Sequence, residues 1–129
     1  MKKSVKTICI TGLIATMIGM SAFAGSDYKG YCVNVAKFNG NGYSDYQTKS
    51  KGGADGYIKS DTVGGSYEVD VRMESDDGDG AWLRDVTDGT NKAIPGTSKQ
   101  KKGCSVRAEF SNNITTPVNV IVDGEWKSN

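Results

Sequence analysis

From Gly25 onward, apolar and polar residues alternate with a period of two, and no stretch repeats at the three-and-four spacing of an amphipathic helix. The clearest alternation is "YEVDVRM", with Tyr67, Val69, Val71 and Met73 on one face and Glu68, Asp70 and Arg72 on the other. A second is "CSVRAEF", where Cys104, Val106, Ala108 and Phe110 oppose Ser105, Arg107 and Glu109. A third is "PVNVIV", in which Val118, Val120 and Val122 alternate with Asn119, Ile121 and Asp123. Each reads as an antiparallel strand with one side on a core and one side in water. Less regular strands are expected at "YCVNVAKF", "GYSDYQT", "GYIKSDT" and "AWLRDV". Glycine-rich breaks separate them, among them "VGG", "DGDG" and "TDGT". "NGNG" at Asn39 to Gly42 is a hairpin signal, because Asn and Gly tolerate the positive φ of tight turns. About seven short strands without helices predict an all-β antiparallel sandwich in a single domain. The tract from Asn39 to Gly65, rich in Gly, Ser, Lys and Asp, is expected at an edge or in a mobile region.

The first 24 residues read differently. Lys2, Lys3 and Lys6 precede an apolar run from Ile8 to about Met20, followed by "SAFA". This is the layout of a secretory signal peptide cleaved after Ala24, which leaves a secreted domain from Gly25 to Asn129. The run is shorter than the ~20 residues that span a bilayer, so no stable membrane insertion is expected after cleavage. Cys9 lies inside the run, which does not suit a lipid-anchored cysteine. Loss of the three lysines leaves 13 basic against 15 acidic residues. That balance gives no electrostatic reason to bind nucleic acid or an anionic membrane. The basic run "KQKK", Lys99 to Lys102, reads as a solvated loop or as a contact for anionic wall polymer or lipid headgroups.

After cleavage two cysteines remain, Cys32 and Cys104. In an oxidising compartment they are expected to pair, unless both stay free thiols. The loop they would close covers most of the domain, and such a bridge would contribute roughly 4 kcal/mol.

The chain has no histidine. That removes histidine-dependent nucleophilic triads and histidine zinc sites, and no phosphate loop or nucleophile elbow is present. Carboxylate chemistry of the glycosidase kind is left, with Asp70, Glu74 or Glu109 as candidate acids, but a chain this small leaves little room for a sugar cleft. The most acidic stretch is "ESDDGDGAWLRDVTDG", Glu74 to Gly89. Counted from Ser75 it resembles a calcium loop up to Gly80, but Val86 falls where the bidentate glutamate belongs. Two readings stay open: a turn between strands, or a looser calcium cage of Asp76, Asp77 and Asp79. No other cofactor is expected. The aromatic residues offer a binding surface, with Trp82, Tyr43, Tyr46 and Tyr57 as candidates. Trp82 and Leu83 point to opposite faces of a regular strand, so only one of them enters the core.

Two segments, "GAWLRDVTDGT" and "EFSNNITTPVNVIVDGEWKSN", together resemble a group of small exported proteins of unknown function from Gram-positive bacteria. The resemblance implies secretion and a single β domain, and confers no catalytic residues; the candidate cystine departs from that group. The expected function is non-enzymatic, through binding of an unidentified partner at the cell surface or in the medium, in the manner of a bacteriocin or competition protein. A calcium- or carbohydrate-binding module is the alternative, and a small glycan-active enzyme a more distant one.

Overall fold

Alternation becomes strand wherever it is regular. The computed structural model describes residues 25–129; the stretch read as a signal peptide, with Cys9 and its cleavage after Ala24, lies outside the described residues. Nine strands follow in order: β1 (Lys29–Val35), β2 (Asn41–Tyr43), β3 (Gln47–Thr48), β4 (Gly56–Val63), β5 (Val69–Glu74), β6 (Leu83–Val86), β7 (Asn91–Ile94), β8 (Ser105–Asn112) and β9 (Val120–Lys127). The first sheet runs β1-β9-β4-β7 and the second β2-β8-β5-β6, with β3 also pairing with β8. Every pairing is antiparallel.

The sheets pack face to face through their inward positions. Tyr31, Val33, Val35, Ile58, Val122 and Trp126 of the first meet Val69, Val71, Met73, Val106, Ala108 and Phe110 of the second. Tyr31 and Phe110 bring their ring centroids to 5.0 Å. Each such burial contributes roughly 1.5–3 kcal/mol, so this cluster is the main driving force of the fold.

Nine strands replace the expected seven for local reasons. "GYSDYQT" breaks at Ser44–Tyr46 into β2 and β3, and "NKAI" forms β7 with Ile94 as its one buried residue. The tract expected at an edge contains β4, which lies between β9 and β7 inside the first sheet. "NGNG" does not join two paired strands. It carries the chain across the sandwich from β1 to β2, with Phe38 and Asn39 at φ 53° and 63°. Gly42 then lies so close to the Asn34 carbonyl and Val33 that a side chain there would collide with both.

The expected Cys32–Cys104 disulfide is not formed; Cys104 is a free thiol. Tyr31, Val33 and Val35 point into the core, so the period of two turns Cys32 outward, on a first-sheet strand opposite Asp123. Cys104 precedes β8 in the second sheet and packs against the core from within. Stacked sheets lie about 10 Å apart, whereas a disulfide needs Cα atoms within ~7 Å and converging Cβ vectors. Burial raises the Cys104 thiol pKa, Asp77 adds to the rise, and Lys49 opposes it.

Hydrogen bonds close the same end of the domain instead. Gly25 donates to the Thr48 carbonyl at 2.8 Å and accepts from the Asn129 amide at 2.8 Å. Beside this clasp Lys49 is buried, its ammonium donating to the carbonyls of Ala54 (2.5 Å) and Ser128 (2.6 Å). Gln47 donates to the Trp126 carbonyl and accepts from the Ser128 amide.

Candidate functional site

The wet faces of β5 and β8 carry complementary charges at alternate positions, and antiparallel pairing sets them opposite one another. Arg72 faces Glu109, and Glu74 faces Arg107. The pairs close at 2.7 Å for Arg72 Nε to Glu109 Oε1 and 2.6 Å for Arg107 Nε to Glu74 Oε1. Asn41 of β2 donates to the second Glu109 oxygen at 3.0 Å. Charge-assisted bonds of this kind fix side-chain geometry; Glu109 is buried beneath its partners, while Arg72, Arg107 and Glu74 stay partly exposed. Burial works against the Arg107 charge, but the hydrogen bond and charge of Glu74 outweigh it and raise the guanidinium pKa.

Aromatic rings border this ladder. The Arg107 guanidinium lies 3.9 Å from the Tyr43 ring centroid and 5.1 Å from that of Tyr46. On the other side the Arg72 guanidinium lies 4.5 Å from the Trp82 centroid. Leu83 packs on the core, so Trp82 takes the outward position, half-buried against Arg72. The register makes a row across the sheet of Tyr43, Glu109 and Arg72, continued by Trp82 just before β6. Three strand spacings separate its ends, about 14 Å at the usual 4.7–4.9 Å per strand.

Of the expected aromatic set, Tyr43, Tyr46 and Trp82 therefore share a face. Tyr57 does not: it lies on β4 in the first sheet, opposite Ala93 and Lys127. Arg72 and Arg107 were not singled out from the sequence. Their signal is the wet-face pattern Arg72-x-Glu74 against Arg107-x-Glu109, which is complementary once the strands run antiparallel.

Asp70 is paired as well. It holds Arg84 at 2.7 Å and accepts from the Asp85 amide at 3.0 Å. That second bond caps the bulge in β6 where Asp85 adopts φ 59°. All three candidate acids, Asp70, Glu74 and Glu109, thus face arginines.

The acidic stretch forms a tied turn between β5 and β6. Ser75 Oγ donates to the Gly78 carbonyl at 2.8 Å and accepts from the Asp77 amide at 3.2 Å. Asp79 turns back to Arg72 at 3.3 Å and to the Ser75 amide. Gln100, fully buried within the exposed "KQKK" run, reaches the Met73 and Gly78 carbonyls. Among the described residues no group of three or more carboxylate, thiol or imidazole side chains is arranged to hold a metal ion, so Asp76, Asp77 and Asp79 do not converge.

Comparison with protein-family models, with curated proteins and with solved structures finds no match to this chain.

Proposed function

We propose that this chain is a non-enzymatic binding protein that acts outside the cell, after removal of residues 1–24. It engages a saccharide chain through the outer face of the second sheet. The observation that carries this reading is the row from Tyr43 and Tyr46 to Trp82, with guanidinium and carboxylate groups held between the rings. Sugars present apolar C–H faces that stack on aromatic rings, and hydroxyl pairs that accept from guanidinium groups and donate to carboxylates. The row is long enough for a short oligosaccharide. The arginines and acids on it neutralise one another, which suits an uncharged glycan better than a strongly charged polymer.

Isothermal titration of the processed protein with soluble oligosaccharides released from cell walls tests the reading. Trp82→Ala and Tyr43→Ala are each expected to weaken binding at least tenfold, a loss of about 1.4 kcal/mol. Full affinity in the double variant would overturn it.

A further inference from the structure

We propose that Arg84 and Asp85, on the bulge of β6, form the polar subsite of the outer face of the second sheet and select a neutral hexose with a free pair of neighbouring hydroxyls, a proposal that rests on the saccharide reading. Hydrogen-bonding capacity picks out these two residues. Most of the charged side chains that β5, β6 and β8 turn outward spend theirs on one another. Arg72 is held by Glu109 and Asp79, Arg107 by Glu74, and Glu109 takes Asn41 as well. Arg84 differs: its side chain is 65 % exposed, against 26 % for Arg72 and 27 % for Arg107.

The bulge sets this pair in place. Val69 pairs with Val86 and Val71 with Leu83, so Arg84 and Asp85 together stand opposite the single residue Asp70. Bulges of this kind re-aim side chains at sheet edges and beside binding sites. Buried Asp70 anchors both residues: one carboxylate oxygen accepts from Arg84 Nη1 at 2.7 Å and the other from the Asp85 amide at 3.0 Å. Asp85 holds φ 59°, a conformation that Asp tolerates better than most side chains. Among the described residues Arg84 Nε and Nη2 have no partner, and neither does the exposed Asp85 carboxylate. Trp82 lies two residues before Arg84, roughly 6–7 Å away at the usual strand rise.

Chemistry selects the ligand. The guanidinium can only donate and the carboxylate can only accept, so a group that satisfies both must accept at one atom and donate at the next. Two neighbouring hydroxyls do this: one donates to Asp85 while the oxygen of the other accepts from Arg84. A sugar ammonium only donates, and a carboxylate or phosphate only accepts, so either leaves one of the two residues unmatched. An acetamido group carries both functions, but its planar trans amide points N–H and C=O in opposite directions. A ring stacked on Trp82 brings its hydroxyls to this corner. Asp70 is then a positioning residue, which sets the spacing of the two groups that read the sugar.

Titration of the processed protein, which contains every described strand, with cellotetraose, mannotetraose and galactotetraose tests the proposal. At least one of them is expected to bind at least tenfold more tightly than its fully O-methylated form, which keeps the rings but donates no hydrogen bond. Arg84→Gln and Asp85→Asn should each shrink that ratio at least threefold, whereas Trp82→Ala should weaken both forms together. Asp85→Asn keeps the backbone bond to Asp70 and tolerates the left-handed φ, so the test survives if Arg84→Gln unfolds. A ratio unchanged in both variants, or tighter binding of chitotetraose than of any hexose probe, would overturn the proposal. So would binding of wall-derived oligosaccharides without binding of any hexose probe, a result that keeps the saccharide reading. Binding of no sugar at all would remove both.

Discussion

The two ends of the sandwich invert the usual distribution of side chains. At one end Lys49, Gln47, Gln100 and Ser128 are buried, and at the other Phe38, Ile114 and Val118 stand in solvent. Buried polar groups require partners, and Lys49 finds them in main-chain carbonyls rather than in a carboxylate salt bridge. Exposed apolar groups gain nothing from the fold. The buried polar side chains therefore serve closure of the domain, and the exposed apolar ones do not.

The largest expected effect lies at the polar end. Lys49→Ala leaves the Ala54 and Ser128 carbonyls without their donor and empties buried space, and should lower the urea-unfolding free energy by about 2–4 kcal/mol. Ile114→Ala should stay within about 0.5 kcal/mol. Equal losses at both positions would break the distinction between the ends.

A smaller effect is a pH dependence confined to the buried groups. Burial lowers the Lys49 ammonium pKa below its ordinary 10.5, partly offset by Cys104 and Asp55. The unfolded chain then keeps this proton to higher pH than the folded one, so stability rises as pH climbs from the lowered value toward 10.5. Tyr31 acts in the opposite sense. Burial raises its phenol above the ordinary 10.0, Asp123 and Asp61 add to the rise, and the Ser60 hydroxyl pulls it back. The unfolded chain releases that proton first, so stability falls as pH passes 10. Chemical denaturation across the alkaline range should lose its rising limb in Lys49→Met and its falling limb in Tyr31→Phe.

The smallest effect belongs to the apolar end. Phe38→Gly relieves the left-handed strain and loses only a ring that is mostly exposed, so stability should stay level or rise by up to ~1 kcal/mol in thermal unfolding. A clear loss would mean that the Phe38 ring supports the fold.

These contrasts also mark what could be read in the sequence. The inward sets Val69-Val71-Met73 and Val106-Ala108-Phe110 follow from alternation alone, and the structure buries all six. The same rule argues against the cystine once applied to both cysteines. Cys104 has the parity of Val106 and Phe110, whereas Cys32 has the parity opposite to Val33 and Val35, and counting thiols ignores parity. β7 escapes detection because one apolar residue in four makes no period. Lys49 escapes for a different reason: in "TKSKGG" it looks like any solvated lysine, and only the closure of Gly25 against Thr48 and Asn129 encloses it. On the candidate site, alternation places Arg72 and Arg107 on wet faces, but their partners depend on which strands become neighbours.

The position of β9 bears on when the first sheet can close. It is the ninth strand in chain order, yet it lies between β1 and β4. Until residues 120–127 arrive, β1 has no ladder to join and β4 can pair only with β7. The second sheet can pair before that segment is made, but the first stays open, because its β1–β9 and β4–β9 ladders wait for it. The strand order thus acts as a timer, holding the first sheet open until residues 120–127 have been made.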